Sequence, residues 1–88
     1  MPLVKFYANL RTIAGRKEVS LTGLSVREVL GRLIQDYPGL QGFLLEDGHV
    51  RRRVIITING QTLDSEAGLD TPVSEHDQIA IFPPVAGG

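Results

Sequence analysis

The stretch "SVREVLGRLIQDYPG", residues 25–39, constrains the fold more than any other part of the chain. Val26, Val29, Leu30, Leu33, Ile34 and Tyr37 recur at i, i+3, i+4 and i+7, which lays one apolar stripe along a helix. Arg27, Glu28, Gly31, Arg32, Gln35 and Asp36 fall on the opposite side. Ser25 offers an N-cap oxygen, and Glu28 three residues on makes a capping box. Glu28 and Arg32 have the spacing of a favourable i, i+4 ion pair, and Pro38-Gly39 stops the helix. Gly31 sits inside it at a cost of about 0.5–1 kcal/mol relative to Ala, and the sequence gives no reason for it. One helix with one apolar stripe covers one face of a sheet, so the expected architecture is a two-layer α+β domain.

The sheet has to come from the flanking segments, and they alternate as strands do. In "LVKFYA" (3–8), Val4, Phe6 and Ala8 share the expected core face, and Leu3, Lys5 and Tyr7 share the other. "LRTIAG" (10–15) reads as a turn-like link closed by Gly15, and "KEVSLTG" (17–23) as a second strand through Val19 and Leu21, paired with the first in a hairpin. Residues 39–53 are irregular, with Leu40, Phe43 and Leu44 able to lay one apolar helical turn on the core. In "VIITINGQTL", Val54, Ile56 and Ile58 alternate with Ile55, Thr57 and Asn59, and Asn59-Gly60 is a strong type I′ hairpin signal. A polar connection anchored by Leu69 and Val73 leads to a last strand, "QIAIF" (78–82), with Ile79 and Ile81 facing one way and Ala80 and Phe82 the other. The expected division is a folded body over residues 1–82 and a flexible tail over 83–88.

With 88 residues there is room for one domain and a small core, not for a roomy internal active site. A net charge of −1 argues against a dedicated nucleic-acid binder. "RRR" at 51–53 is a local basic run with no interleaved aromatics, which reads first as a solvated segment. The absence of cysteine removes disulfides, thiolate metal sites and a Cys nucleophile together. No apolar run reaches the roughly 18 residues of a membrane span, and the first residues lack the layout of a signal peptide, so the expected location is cytoplasmic. His49 and His76 stand far apart, so no metal site is expected. Ser74, His76 and Asp77 contain the residue types of a triad but lie together in one turn without a nucleophile elbow. No phosphate-binding glycine motif is present.

What remains is the tail, "PPVAGG". Gly makes up 10 of the 88 residues, so a Gly pair at these two positions has a chance of roughly 1% on composition alone. Pro83 and Pro84 lack N–H groups and stiffen the exit from the last strand. Gly87 and Gly88, without side chains, can thread a narrow slot, and six residues extend roughly 20 Å. A terminal carboxylate is ionised at about pH 7 and is a poor electrophile. Adenylation by ATP would make it a good one, so the tail suits the role of a substrate arm received by another enzyme.

These residues resemble a known family. "VKFYANLRTIAG", "INGQTL" and "GLDTPVSEHDQIAIFPPVAGG" are similar to the small sulfur carriers of the MoaD/ThiS type, above all the small subunit of molybdopterin synthase. The family commonly has Gly where this chain has His76 before Asp77, a place where His is expected to accept positive φ. The resemblance implies a ubiquitin-like β-grasp of four to five strands with one main helix, the last strand lying centrally beside the first. It implies that an E1-like adenylating enzyme activates Gly88 with ATP, that Gly88 becomes a thiocarboxylate, and that the molybdopterin synthase large subunit takes the sulfur. On this reading Pro83, Pro84, Val85, Ala86 and Gly87 thread the partner's slot, and Tyr7, Arg11, Leu63 and Phe82 meet the partners. No cofactor is bound, and the chain is a co-substrate or non-catalytic subunit. No membrane or nucleic-acid partner is expected. Cysteine synthesis (which "GLQGFLLEDGHVRRRVIITING" brings to mind), thiazole synthesis, tRNA thiolation and protein conjugation stay open, as does a plain ubiquitin-like binding module.

Overall fold

A computed structural model of the chain describes residues 1–51, 53–63 and 67–83. Strand β1 (Leu3–Phe6) leads into a short helix α1 (Asn9–Ala14), then β2 (Glu18–Ser20) and the long helix α2 (Val26–Asp36). A 3-10 turn (Pro38–Leu40) and a single turn of helix α3 (Gln41–Leu44) follow, then a small hairpin of β3 (Leu45–Glu46) and β4 (His49–Val50). Strands β5 (Ile55–Ile58) and β6 (Gln61–Thr62), a 3-10 turn (Ala67–Asp70) and β7 (Gln78–Phe82) complete the described elements.

The five-stranded sheet has the order β2-β1-β7-β5-β6. β7 lies between β1, to which it is parallel, and β5, to which it is antiparallel. The central place of the last strand and the antiparallel β1–β2 pair agree with the expectation. Parallel neighbours cannot be joined by a tight turn, so everything between β1 and β7 forms the crossover. α2 lies within that crossover and packs on the sheet.

The predicted stripe is the buried one. Val26, Val29, Leu30 and Leu33 of α2 are buried against Val4, Phe6, Ile56, Ile79 and Ile81 of the sheet. The Ser25 hydroxyl accepts the Glu28 N–H at 3.3 Å, capping α2. Arg32 reaches forward to Asp36 (3.9 Å) rather than back to Glu28. Tyr37 closes α2 and packs edge-on against Phe6, with ring centroids 6.3 Å apart. Leu10, Leu40, Leu44, Val50, Leu69 and Val73 seal the rim of the core.

Three local expectations need correction. Residues 10–15 are not a turn-like link: α1 covers Asn9–Ala14, because Leu10, Ile13 and Ala14 share a face that packs on the core. Gly15 does close it, in the left-handed conformation at φ 76°. Ala8 does not continue the core face of β1; it is exposed at φ 54°, where the chain swings from strand into α1. Residues 45–50 are not irregular. Asp47 and Gly48 both have positive φ, the condition for a type I′ turn, and join β3 to β4.

Candidate functional site

The chain leaves the sheet at Phe82, on the end of the central strand, and the surrounding side chains follow from register. Phe6 pairs with Ile81, so Tyr7 comes level with Phe82. Residues alternate across the sheet. With Ile79 and Ile81 in the core, Phe82 must point to the face that α2 does not cover, and Tyr7 joins it there. The two rings stack, 4.5 Å between centroids and 14° between planes. Ile55, directly across from Phe82 on β5, is 47% exposed and extends the apolar surface.

Arg11 reaches this platform from α1. Its Nε donates to the carbonyl of Phe6 at 2.9 Å, and its guanidinium carbon lies 5.4 Å from the centre of the Tyr7 ring. A cation over an aromatic face is worth about 0.5–1 kcal/mol at exposed sites. With Nε engaged, the outer N–H groups are held beside the stacked rings. From the platform a groove of about 320 Å³ runs along the uncovered face, lined by Lys5, Thr57, Asn59, Gln78 and Ala80 among others. A larger depression of about 490 Å³ lies on the other layer, over Thr22, Leu24, Glu28 and Gly31 of the α2 side, away from the exit of β7.

At the far end of β7 a polar clamp fixes where the strand begins. Asn59 Nδ2 donates to Asp77 Oδ1 (3.0 Å), the Ser74 N–H donates to Asp77 Oδ2 (2.8 Å), and Asn59 Oδ1 accepts from the Gln78 N–H (3.0 Å). The N–H of Ser74 and the amide of Asn59 hold the Asp77 carboxyl below its usual pKa of 3.8. The carboxylate thus ties the turn and the β5–β6 hairpin to β7. No triad forms, since the His76 imidazole lies 3.8 Å from Glu75. His76 also needs no positive φ: the non-glycine residues with positive φ are Ala8, Asp47 and Asn59. The sequence marked Asn59 as a turn residue but gave no hint of its side-chain role. Among the described residues no three His, Cys, Asp or Glu side chains gather as a metal site.

Of the residues expected to meet partners, Tyr7, Arg11 and Phe82 come together. Leu63 does not. Thr57 pairs with Thr62, and the Leu63 N–H donates to the Ile56 carbonyl at 2.9 Å, so Leu63 stands opposite Ile56 on the core side of the sheet. It packs against the hydrophobic core and crowds Gly68, where an added Cβ would lie 2.7 Å from the Leu63 Cβ. Pro83 is half-buried at the strand's exit. Pro84, Val85, Ala86, Gly87 and Gly88 lie outside the described residues.

Comparison with known proteins bears on the same region. The model of the ThiS family matches residues 4–88. The chain belongs to the ThiS/MoaD-type family of ubiquitin-like sulfur carriers. It is 35% identical over 88 residues to small archaeal modifier protein 3 of Haloferax volcanii, covering 97% of this chain and 96% of that one. It is 32% identical to the sulfur carrier protein CysO of Mycobacterium tuberculosis over 77 residues, 84% of this chain and 83% of that one. Its backbone matches a chain in the crystal structure of the Amycolatopsis orientalis BexX/CysO complex with a TM-score of 0.86 and 27% identity, over the full length of both. The β-grasp expected of a carrier is therefore present, and the stacked platform of this family member sits where its last strand ends. Among the described residues no helix is long and apolar enough to cross a membrane.

Proposed function

We propose that this ThiS-family chain carries sulfur on the carboxylate of Gly88. The observation that carries the reading is the family match, which runs through the final strand and on to residue 88. The Tyr7–Phe82 platform and Arg11, gathered where the strand gives way to that segment, support it as the place a partner grips.

The chemistry needs little from the body of the protein. A Gly88 carboxylate oxygen attacks the α-phosphorus of ATP on an E1-like enzyme, and pyrophosphate leaves. A sulfur nucleophile then adds to the acyl carbon, AMP departs, and a thiocarboxylate remains. The side chains at 87 and 88 are hydrogens, so the acyl carbon can enter a slot sized for backbone. This chain supplies the reacting group and the docking surface, and the partner supplies the catalytic residues. ATP belongs to the partner's step, and no cofactor resides here.

For the acceptor, the "FPPVAGG" ending supports the large subunit of molybdopterin synthase. A second reading, protein conjugation or delivery to a cysteine-forming enzyme, is favoured by the names of the relatives, a modifier and a CysO carrier. Intact-mass spectrometry after incubation with ATP, sulfide and the organism's E1-like enzyme tests the carrier step: one oxygen should be replaced by sulfur. Adding candidate acceptors to the thiocarboxylate form then separates the readings by which one restores the carboxylate. A mass unchanged under conditions that activate another carrier would end the proposal.

A further inference from the structure

Sequence alone assigned no role to the basic run at 51–53, and the fold brings part of it to the same end of the molecule as Arg11. Arg53 lies two residues before Ile55, which faces Phe82. Arg51 is anchored close by, its Nε donating to the Gly42 carbonyl at 3.0 Å and its Nη1 lying 3.6 Å from Glu46. Lys17 is there because its carbonyl accepts the Phe6 N–H. Arg16 is there because its Nη1 donates to the Tyr37 hydroxyl, and Tyr37 packs on Phe6. At the opposite end of the sheet stand Glu75 and Asp77. The molecule is polarised along β7, with cations at the exit and carboxylates at the start. The acidic groups near the exit are Glu18, Asp36 and Glu46, and Arg32 and Arg51 already engage the last two.

We infer that Arg11, Arg16, Lys17, Arg51 and Arg53 form a basic rim that docks on an acidic protein surface surrounding the slot that receives residues 84–88. The inference rests on the carrier reading and adds the chemistry of the partner. The arrangement has the anatomy of a protein interface: an apolar centre of Tyr7, Phe82 and Ile55 inside a polar border. Nucleic acid is the other polyanion such a rim could meet. The observations favour protein, because the described aromatic surface here is a pair of rings stacked on each other rather than offered to bases, and the chain's net charge is −1. A charged rim acts mainly on encounter. It should raise the association rate by about ten- to a thousandfold at low salt and leave the chemical step alone.

The test compares the full-length protein with the double variant Arg16→Gln/Arg53→Gln in adenylation by the E1-like enzyme, across ionic strength. For the native protein kcat/KM should fall steeply between about 0.05 and 0.5 M salt, because the Debye length shrinks severalfold over that range. The double variant should start at least about tenfold lower at low salt and converge with the native protein at high salt. Its melting temperature and its kcat at saturation should match the parent's. A salt-independent kcat/KM, or equal values for both proteins at low salt, overturns the rim while leaving the carrier reading intact. Absence of adenylation in both at every salt concentration overturns the carrier reading and the rim with it. Binding of a purified tRNA that the double variant loses, with adenylation unaffected, would assign the rim to nucleic acid and also overturn the inference.

Discussion

The ring of Tyr7 lies flat on the ring of Phe82, on the side of the sheet that α2 leaves bare. Such a pair contributes about 0.5–1.5 kcal/mol beyond its buried area, a small sum for two large side chains kept out of the core. Phe82→Lys removes that stack and half of the apolar platform. It should lower the melting temperature by only a few degrees and raise the KM for adenylation at least about tenfold, since centrally placed aromatic anchors typically carry 2 kcal/mol or more of binding. A calorimetric scan and steady-state kinetics decide it. A largely unfolded variant whose folded fraction reacts with the parent's KM would show that Phe82 serves the fold and not the partner.

Leu63 should behave in the opposite way. Its place opposite Ile56 makes it a core residue, so Leu63→Ala should cost about 2 kcal/mol or more in denaturant unfolding and leave the KM of the folded protein unchanged. Leu33, fully buried in the middle of α2, sets the upper scale: Leu33→Ala should cost about 2–5 kcal/mol. If Leu63→Ala shifts only KM, the register drawn here is wrong.

These two residues show how far the sequence could be read. The Asn59-Gly60 turn was legible, and a two-residue loop dictates that 58 pairs with 61 and therefore 56 with 63. Carrying that register two positions further would have put Leu63 on the core side. α2 was legible because eleven residues hold three turns of periodicity, whereas the six of α1 hold too few to separate helix from turn. Asp47-Gly48 carried the same hairpin signal as Asn59-Gly60, but with strands of two residues on each side there was no alternation to support it. Tyr7 and Phe82 could be placed on one face by parity. Their stacking, and the reach of Arg11 over them, depended on the parallel register of β1 with β7, which sequence spacing does not encode.

Gly31 gains a testable reading. An added Cβ there would meet nothing within 4 Å, and the residue is exposed. Gly31→Ala should therefore stabilise the protein by about 0.5–1 kcal/mol, through helix propensity and a less free unfolded chain. A rise of several degrees in melting temperature checks it. A fall would mean that the face of α2 over Gly31 is not open.

Asp77 makes stability depend on acid. Its folded pKa lies below the unfolded 3.8, held there by the Ser74 N–H and then the Asn59 amide. A depressed carboxyl stabilises the fold above its unfolded pKa, and the contribution drains away as pH falls through the lower, folded value. Asp77→Ala should therefore melt below the parent at neutral pH, and the gap should narrow as pH drops below 3.8. Melting curves across this range measure it. A gap of constant size down to full protonation would mean that the carboxylate's charge is irrelevant and only the shape of the turn matters.

The segment beyond Pro83 should be separable from folding altogether. The hydrophobic cluster is assembled from residues as far as Ile81, and the sheet's last described pair joins Ile55 to Phe82. Nothing in that core calls on residues 87 and 88, so changes there should leave the melting curve where it is. Function should not survive them. Deleting Gly88 draws the reacting carboxylate back by about 3.3 Å, far outside the tolerance of a reacting geometry. Gly87→Val puts a stiff, branched side chain where a slot for backbone would have to admit it. Adding one residue after Gly88 locks its carbonyl into a peptide bond, which has no free oxygen to attack ATP. All three variants should compete with the parent for the E1-like enzyme through the intact Tyr7–Phe82 platform, yet none should deliver sulfur to an acceptor in a single-turnover assay. Parental rates from the extended protein, with the extra residue still attached by mass, would show that Gly88 is not the reacting position.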